Sequence, residues 1–104
     1  MKTKYYLTYA ETKTTVKKRF FEKSTVTVYS YTCDISSISE NFDDVKEKYD
    51  AEDTVYMEGA EYQFVDKIDP IFGEYKEAGY RHKDGSEHTM RVSIYSYGPG
   101  EEES

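Results

Sequence analysis

Apolar and polar side chains alternate with a period of two along Lys4 to Ala10, where Tyr5, Leu7 and Tyr9 share one face and Tyr6 and Thr8 the other. Such alternation predicts a half-buried strand. Glu11-Thr12-Lys13 reads as a turn, after which Thr14 to Phe21 repeats the pattern with Val16, Lys18 and Phe20 opposed to Thr15, Lys17, Arg19 and Phe21. Ser24 to Cys33 is the most β-prone segment, being almost wholly Thr, Val and Tyr. Its phase shifts between Val26/Val28 and Tyr29/Tyr31/Cys33, which predicts either two covered faces or a bulge near Val28. Three runs with short links suggest an antiparallel meander.

The period then changes. Ile38, Phe42, Val45 and Tyr49 fall at i, i+4, i+7 and i+11, and Ser37 with Glu40 three residues on has the form of a capping box, so a helix over about 38–49 is expected. Acidic residues crowd its start and Lys46 and Lys48 follow toward its end, as the helix dipole favours. Alternation returns at Val55/Met57, Gly59-Ala60 reads as a turn, and Tyr62, Phe64, Asp66 and Ile68 share a face over 61–68. Asp69-Pro70 punctuates the chain and has the form of an N-cap with Pro at the first helical position, opening a short helix over 71–78 that Gly79 closes. Tyr80 to Lys83 and Glu87 to Tyr97 flank Asp84-Gly85, a type I′ hairpin signal. The expected fold is α+β: an antiparallel sheet of about five to seven strands with one main helix packed on one face, a single domain over 1–97, and a flexible acidic tail over 98–104.

Charge adds the next layer. The first 23 residues hold seven basic and two acidic side chains, a balance of +5, and the remainder stands at −12. Residues 34–61 alone carry ten acids against Lys46 and Lys48. A surface of that density attracts cationic partners and repels nucleic acid, and no membrane partner is expected. The twelve tyrosines and absent tryptophan make much of the apolar area amphipathic, suited to half-buried sheets and interfaces. Cys33 is the single cysteine, so no intrachain disulfide forms, and a reducing, cytoplasmic setting is expected. The start of the chain lacks the apolar core of a signal peptide. No run approaches the roughly 18 apolar residues that cross a bilayer as a helix.

Motifs for catalysis and cofactors are thin, and no cofactor or metal is expected. An EF-hand loop counted from Asp50 would need Gly at its sixth position and Glu at its twelfth, where Val55 and Glu61 stand. Cys33 and two distant histidines are too few ligands for zinc, and neither a Walker A sequence nor G-x-G-x-x-G occurs. With Asp84-Gly85 as a two-residue turn, His82 and Glu87 lie side by side and form a candidate base and its orienting carboxylate; the same pair also reads as an ordinary cross-strand contact.

The acidic segment carries the strongest functional signal. Asp43, Glu47 and Asp50 fall at i, i+4 and i+7, a row with about 5–6 Å between neighbours, comparable to phosphates along one DNA strand. With Glu40, Asp44, Glu52 and Asp53 they form a candidate partner-binding surface, and Tyr49, Tyr56 and Tyr62 are candidate aromatic anchors. In size and charge the chain resembles the DNA-mimic proteins that phages and mobile elements use against host nucleases, including anti-CRISPR proteins. That resemblance implies a non-enzymatic inhibitor that covers the cationic site of a nucleic-acid-binding protein, such as a nuclease, without touching nucleic acid itself. Two other readings stand beside it: a ligand-binding or hydrolytic domain using His82 and Glu87, and a structural protein whose copies assemble through exposed sheet edges.

Overall fold

A computed structural model describes residues 2–98, so the predicted acidic tail lies, from residue 99 onward, outside the described residues. These residues form a mostly antiparallel β structure with one short helix. Its elements are β1 (Lys4–Arg19), β2 (Glu22–Ser39), α1 (Phe42–Asp50), β3 (Thr54–Met57), β4 (Ala60–Gln63), β5 (Val65–Asp69), β6 (Gly73–Arg81) and β7 (Glu87–Tyr97). Five strands make one sheet in the order β2-β1-β7-β6-β5, and β3 and β4 form a separate hairpin.

The first two expected strands are one. Glu11, Thr12 and Lys13 pair with Ser30, Tyr29 and Val28 on one side and with Met90, Thr89 and His88 on the other, so no turn interrupts β1. Glu-Thr-Lys contains no residue that favours a reversal, and laddering on both sides wins. The reversal comes instead at Phe20-Phe21, between paired Arg19 and Glu22. Phe20 takes φ 49°, a left-handed conformation that costs a bulky residue, and both rings are fully exposed. Because β7 pairs with β1 only as far as Thr14, the far end of the β1–β2 hairpin projects as a two-stranded arm. Val16 N–H, which donates to Ser86 Oγ at 3.0 Å, ties the base of that arm to the β6–β7 loop.

The register of β2 is regular through Val28, and the irregularity falls further on: Leu7 opposes Asp34, whereas Tyr5 opposes Ser39. The bulge consumes the predicted helix cap. Ser37 Oγ donates to the Asp34 carbonyl at 2.6 Å and accepts from Leu7 N–H at 2.8 Å, so it caps no helix. The helix starts four residues later than expected, at Phe42, with Asn41 as N-cap accepting from Asp43 N–H at 3.0 Å.

The strand expected over 61–68 breaks at Phe64, whose N–H donates to the Asp53 carbonyl at 2.8 Å. No helix forms over 71–78. Asp69 Oδ1 accepts from Ile71 N–H and Phe72 N–H, both at 2.8 Å, so Asp69-Pro70 opens a hairpin loop closed by Gly73 at φ 106°. β6 then runs through Gly79, which lies against β7 so closely that a Cβ would stand 2.3 Å from the His88 carbonyl oxygen. Only glycine fits there.

Leu7 of β1, Val92 of β7, and Val45 and Tyr49 of α1 are buried together, with Tyr5, Tyr9, Phe64 and Ile94 around them. Lys76 of β6 fixes the end of the helix: its Nζ donates to the carbonyls of Asp50 at 3.3 Å and Glu52 at 2.9 Å, where the helix dipole is negative. Thr8, Tyr6, Tyr31, Tyr95 and Tyr97 occupy the other face of the sheet, where the rings of Tyr6, Tyr95 and Tyr97 meet. No helix among the described residues is long and apolar enough to cross a membrane.

Candidate functional site

The helix sorts its acids by periodicity. Val45 and Tyr49 point into the core, which turns Asp43 and Glu47 outward, and Glu40 and Asp44 are exposed beside them. Asp44 is within 3.3 Å of Ser39 Oγ, a neutral partner. Among the described residues no lysine or arginine forms an ion pair with Glu40, Asp43, Asp44 or Glu47. Lys48, next along the helix, donates to the Ser36 carbonyl at 3.0 Å instead. Three of these four acids lie within or just before the first helical turn, where the positive end of the helix dipole offsets their mutual repulsion.

The rest of the predicted site is divided. Asp50 pairs with Lys46 at 2.8 Å, and Lys46 also reaches Glu74 at 3.1 Å, so the third carboxylate of the i, i+4, i+7 row is neutralised. These two carboxylates hold the Lys46 ammonium above its ordinary pKa, with the hydrogen bond to Asp50 the main cause. Glu52 accepts from the Tyr9 hydroxyl at 2.5 Å; burial first, then that bond, pushes the Tyr9 phenol far up. Asp53 is exposed. Of the predicted anchors, Tyr56 is 71% exposed, and Tyr62 is half-buried and stacks on Tyr80 with ring centroids 5.2 Å apart. Tyr49 is corrected: at 2% exposure it is a core residue, because i+4 and i+7 from Val45 and Phe42 place it on the buried stripe. Burial pushes its phenol up to about 12.

The histidines change places. The β6–β7 loop has three residues, Lys83-Asp84-Gly85, with Gly85 at φ 97° and His82 N–H donating to the Ser86 carbonyl at 2.7 Å. Arg81 therefore opposes Glu87 and holds it at 2.8 Å, and His82 is not Glu87's partner. A G1-type bulge accommodates Asp-Gly as readily as a type I′ turn, and the one-residue difference moves every cross-strand pair.

His88, given no role by spacing, is the buried histidine. Its Nε2 lies 2.6 Å from Glu11 Oε2, and its Nδ1, 4.0 Å from Glu58 Oε1, makes no hydrogen bond. Glu58 and Gly59 turn the β3–β4 hairpin with φ of 51° and 83°. From that turn Glu58 pairs with Lys13 and accepts from the Tyr80 hydroxyl at 2.5 Å. Lys13 first, then Tyr80, brings the Glu58 carboxyl down to about 2, while Tyr80 is raised to about 12 by the same bond. The cluster fastens β3–β4 to β1 and β6. Among the described residues no serine, threonine or cysteine side chain is hydrogen-bonded to either histidine. The sequence signal for this cluster was present in the alternation, since Glu11, Lys13, Tyr80 and His88 share the face of Leu7 and Val92.

No three His, Cys, Asp or Glu side chains converge on a metal-sized site among the described residues. A cleft of about 260 Å³ is lined by Tyr5, Phe42, Tyr49, Phe72 and Ile94 together with the paired Lys46 and Glu74. Comparison with protein-family models, with curated proteins and with solved structures gives no match.

Proposed function

We propose that the chain is a non-enzymatic interaction module, an inhibitor of the DNA-mimic type that seats its acidic helix surface in the cationic nucleic-acid-binding groove of a cytoplasmic partner such as a nuclease. In this reading α1 packs across one face of the sheet through Val45 and Tyr49, and that packing stiffens the opposite side of the helix. The observation that supports it is the group Glu40, Asp43, Asp44 and Glu47, exposed together and free of any lysine or arginine ion pair among the described residues. Unpaired carboxylates of one sign on a rigid element replace phosphates without a conformational cost, and their desolvation is repaid only by basic groups from outside. Tyr56, exposed on β3, is the remaining aromatic anchor.

The test is a binding titration against basic nucleic-acid-binding proteins, with competition by duplex DNA. Complex formation is expected to weaken by roughly tenfold or more between about 50 and 200 mM salt, and Asp43→Lys with Glu47→Lys is expected to abolish it. Lys46→Met, which releases Asp50, is expected to tighten it. Binding that ignores both the reversals and the salt, or no binding to any basic protein, overturns the reading. Both reversed positions are exposed, so circular dichroism should remain that of the parent.

A further inference from the structure

β2 is an edge strand, paired with β1 on one side and, among the described residues, with no strand on the other. From Ser24 to Cys33 it reads Ser-Thr-Val-Thr-Val-Tyr-Ser-Tyr-Thr-Cys, without a charge, a proline or a glycine. Val26, Val28, Tyr29 and Tyr31 are all more than half exposed. Sheets normally blunt such an edge with lysines, prolines, bulges or a covering element. None of these devices lies within 24–33, and the bulge comes only after Asp34.

The free hydrogen-bonding groups follow from the hairpin. The residues flanking a two-residue loop exchange hydrogen bonds, so Glu22 and every second residue after it bond to β1. Thr25, Thr27, Tyr29, Tyr31 and Cys33 then direct their N–H and C=O groups away from the sheet. The same five residues lie on the face of Thr8, because Cys33 opposes Thr8 and Tyr31 opposes Ala10.

We propose that β2 pairs antiparallel with β2 of a second copy of this chain, merging two five-stranded sheets into one. A two-fold axis normal to the sheet keeps like faces together, so opposed residues must have the same parity and the axis passes through a residue. Centred on Tyr29, Thr27 opposes Tyr31 of the second copy, Thr25 opposes Cys33, and Ser24 opposes Asp34, where the bulge ends the pairing. Centred on Val28, Glu22 would oppose Asp34, a like-charge pair; centred on Ser30, Asp34 would oppose Val26. The Tyr29 register pairs 25–33 with itself and, unlike the Val28 register, sets no two like charges opposite each other. It also joins the tyrosines of the Thr8 face into one surface across both copies. The acidic helix surface takes no part in this pairing, so the dimer stands or falls independently of the proposed inhibition.

Sedimentation velocity tests it. The parent is expected to sediment as a dimer at micromolar concentration. Tyr29→Lys puts two ammonium groups face to face at the axis and is expected to weaken the dimer by about tenfold or more. An equimolar mixture of Tyr29→Lys and Tyr29→Glu is expected to dimerise again, which a folding defect would not allow. Register is read by Thr25→Cys with oxidised glutathione. The new thiol lies opposite Cys33 of the second copy at a Cα separation of about 5.5 Å, within disulfide reach. Within one strand the same two positions are about 27 Å apart. A covalent dimer from this variant and not from the parent is the expected result. A parent that stays monomeric, a Tyr29→Lys variant that sediments as the parent does, or a Thr25→Cys variant that does not cross-link each overturns the proposal.

Discussion

At one margin of the five-stranded sheet, β5 is five residues long, carries Asp66, Lys67 and Asp69, and runs straight into Pro70. At the other margin, β2 is eighteen residues long and has ten consecutive uncharged positions. Lys67 of β5 is engaged with Glu77 at 3.5 Å on the neighbouring strand, so its charge stays at the edge. Shortness, charge and a proline are the usual means of keeping a strand from recruiting another, and β5 has all three. β2 lacks them over its central stretch. One sheet thus has a closed border and an open one, and the charge pattern, more than β propensity, separates them.

The most disruptive test removes one border altogether. Gly79→Ala introduces a methyl group that meets the β7 backbone, and β6 together with β5 must shift away. A loss of about 3 kcal/mol or more in urea denaturation is expected; a variant as stable as the parent would show that β6 is not held as closely as described. A second test makes the borders alike. Asp66→Thr with Lys67→Thr strips the charge from the centre of β5, and concentration-dependent species larger than a dimer are expected in sedimentation, since two open edges propagate where one terminates. Unchanged sedimentation would mean that length and Pro70 protect β5 without help from charge.

The smallest effect concerns acid. Glu58, brought down to about 2 from an ordinary 4.5, favours the folded state fully above pH 4.5 and loses that contribution as pH falls toward 2. Glu58→Gln is therefore expected to flatten the dependence of the melting midpoint on pH within that window, leaving the midpoint at neutral pH lower than the parent's. A parallel pair of pH curves would assign the acid response to other carboxylates.

Much of the architecture was legible in the pattern. The alternation of Tyr5, Leu7 and Tyr9 found its face of the sheet, and Phe42, Val45 and Tyr49 lie on one stripe of α1 with the last two in the core. What was missed turned on competition between local signals and pairing. Glu11-Thr12-Lys13 looked like a turn because it is polar, yet strands on both sides paid for keeping it extended. Ser37 had the chemistry of a cap but was taken by the bulge, and Asn41 took its place. Ile71 to Ala78 is apolar enough for a helix, but Asp69 folds back on its own loop and Gly79 is pressed against β7. Of the candidate surface, Glu40, Asp43, Asp44 and Glu47 stand as a group, while Asp50 and Glu52 are held by Lys46 and Tyr9. The Lys46–Asp50 pair is i, i+4 and could be read from helical spacing, whereas Tyr9–Glu52 and Lys46–Glu74 join positions far apart in sequence, which that spacing does not reveal.

The arm beyond Thr14 is a ladder with a single row of rungs, and it buries no side chain. Beyond Val16, whose N–H is held by Ser86, amide protons there have no shield except their own hairpin bonds, so their exchange with deuterium reports a local opening of low free energy, separate from the cooperative melting of the Leu7–Val92 core. Heat or denaturant should therefore unzip the arm from its two phenylalanines inward while the body still holds its native spectrum.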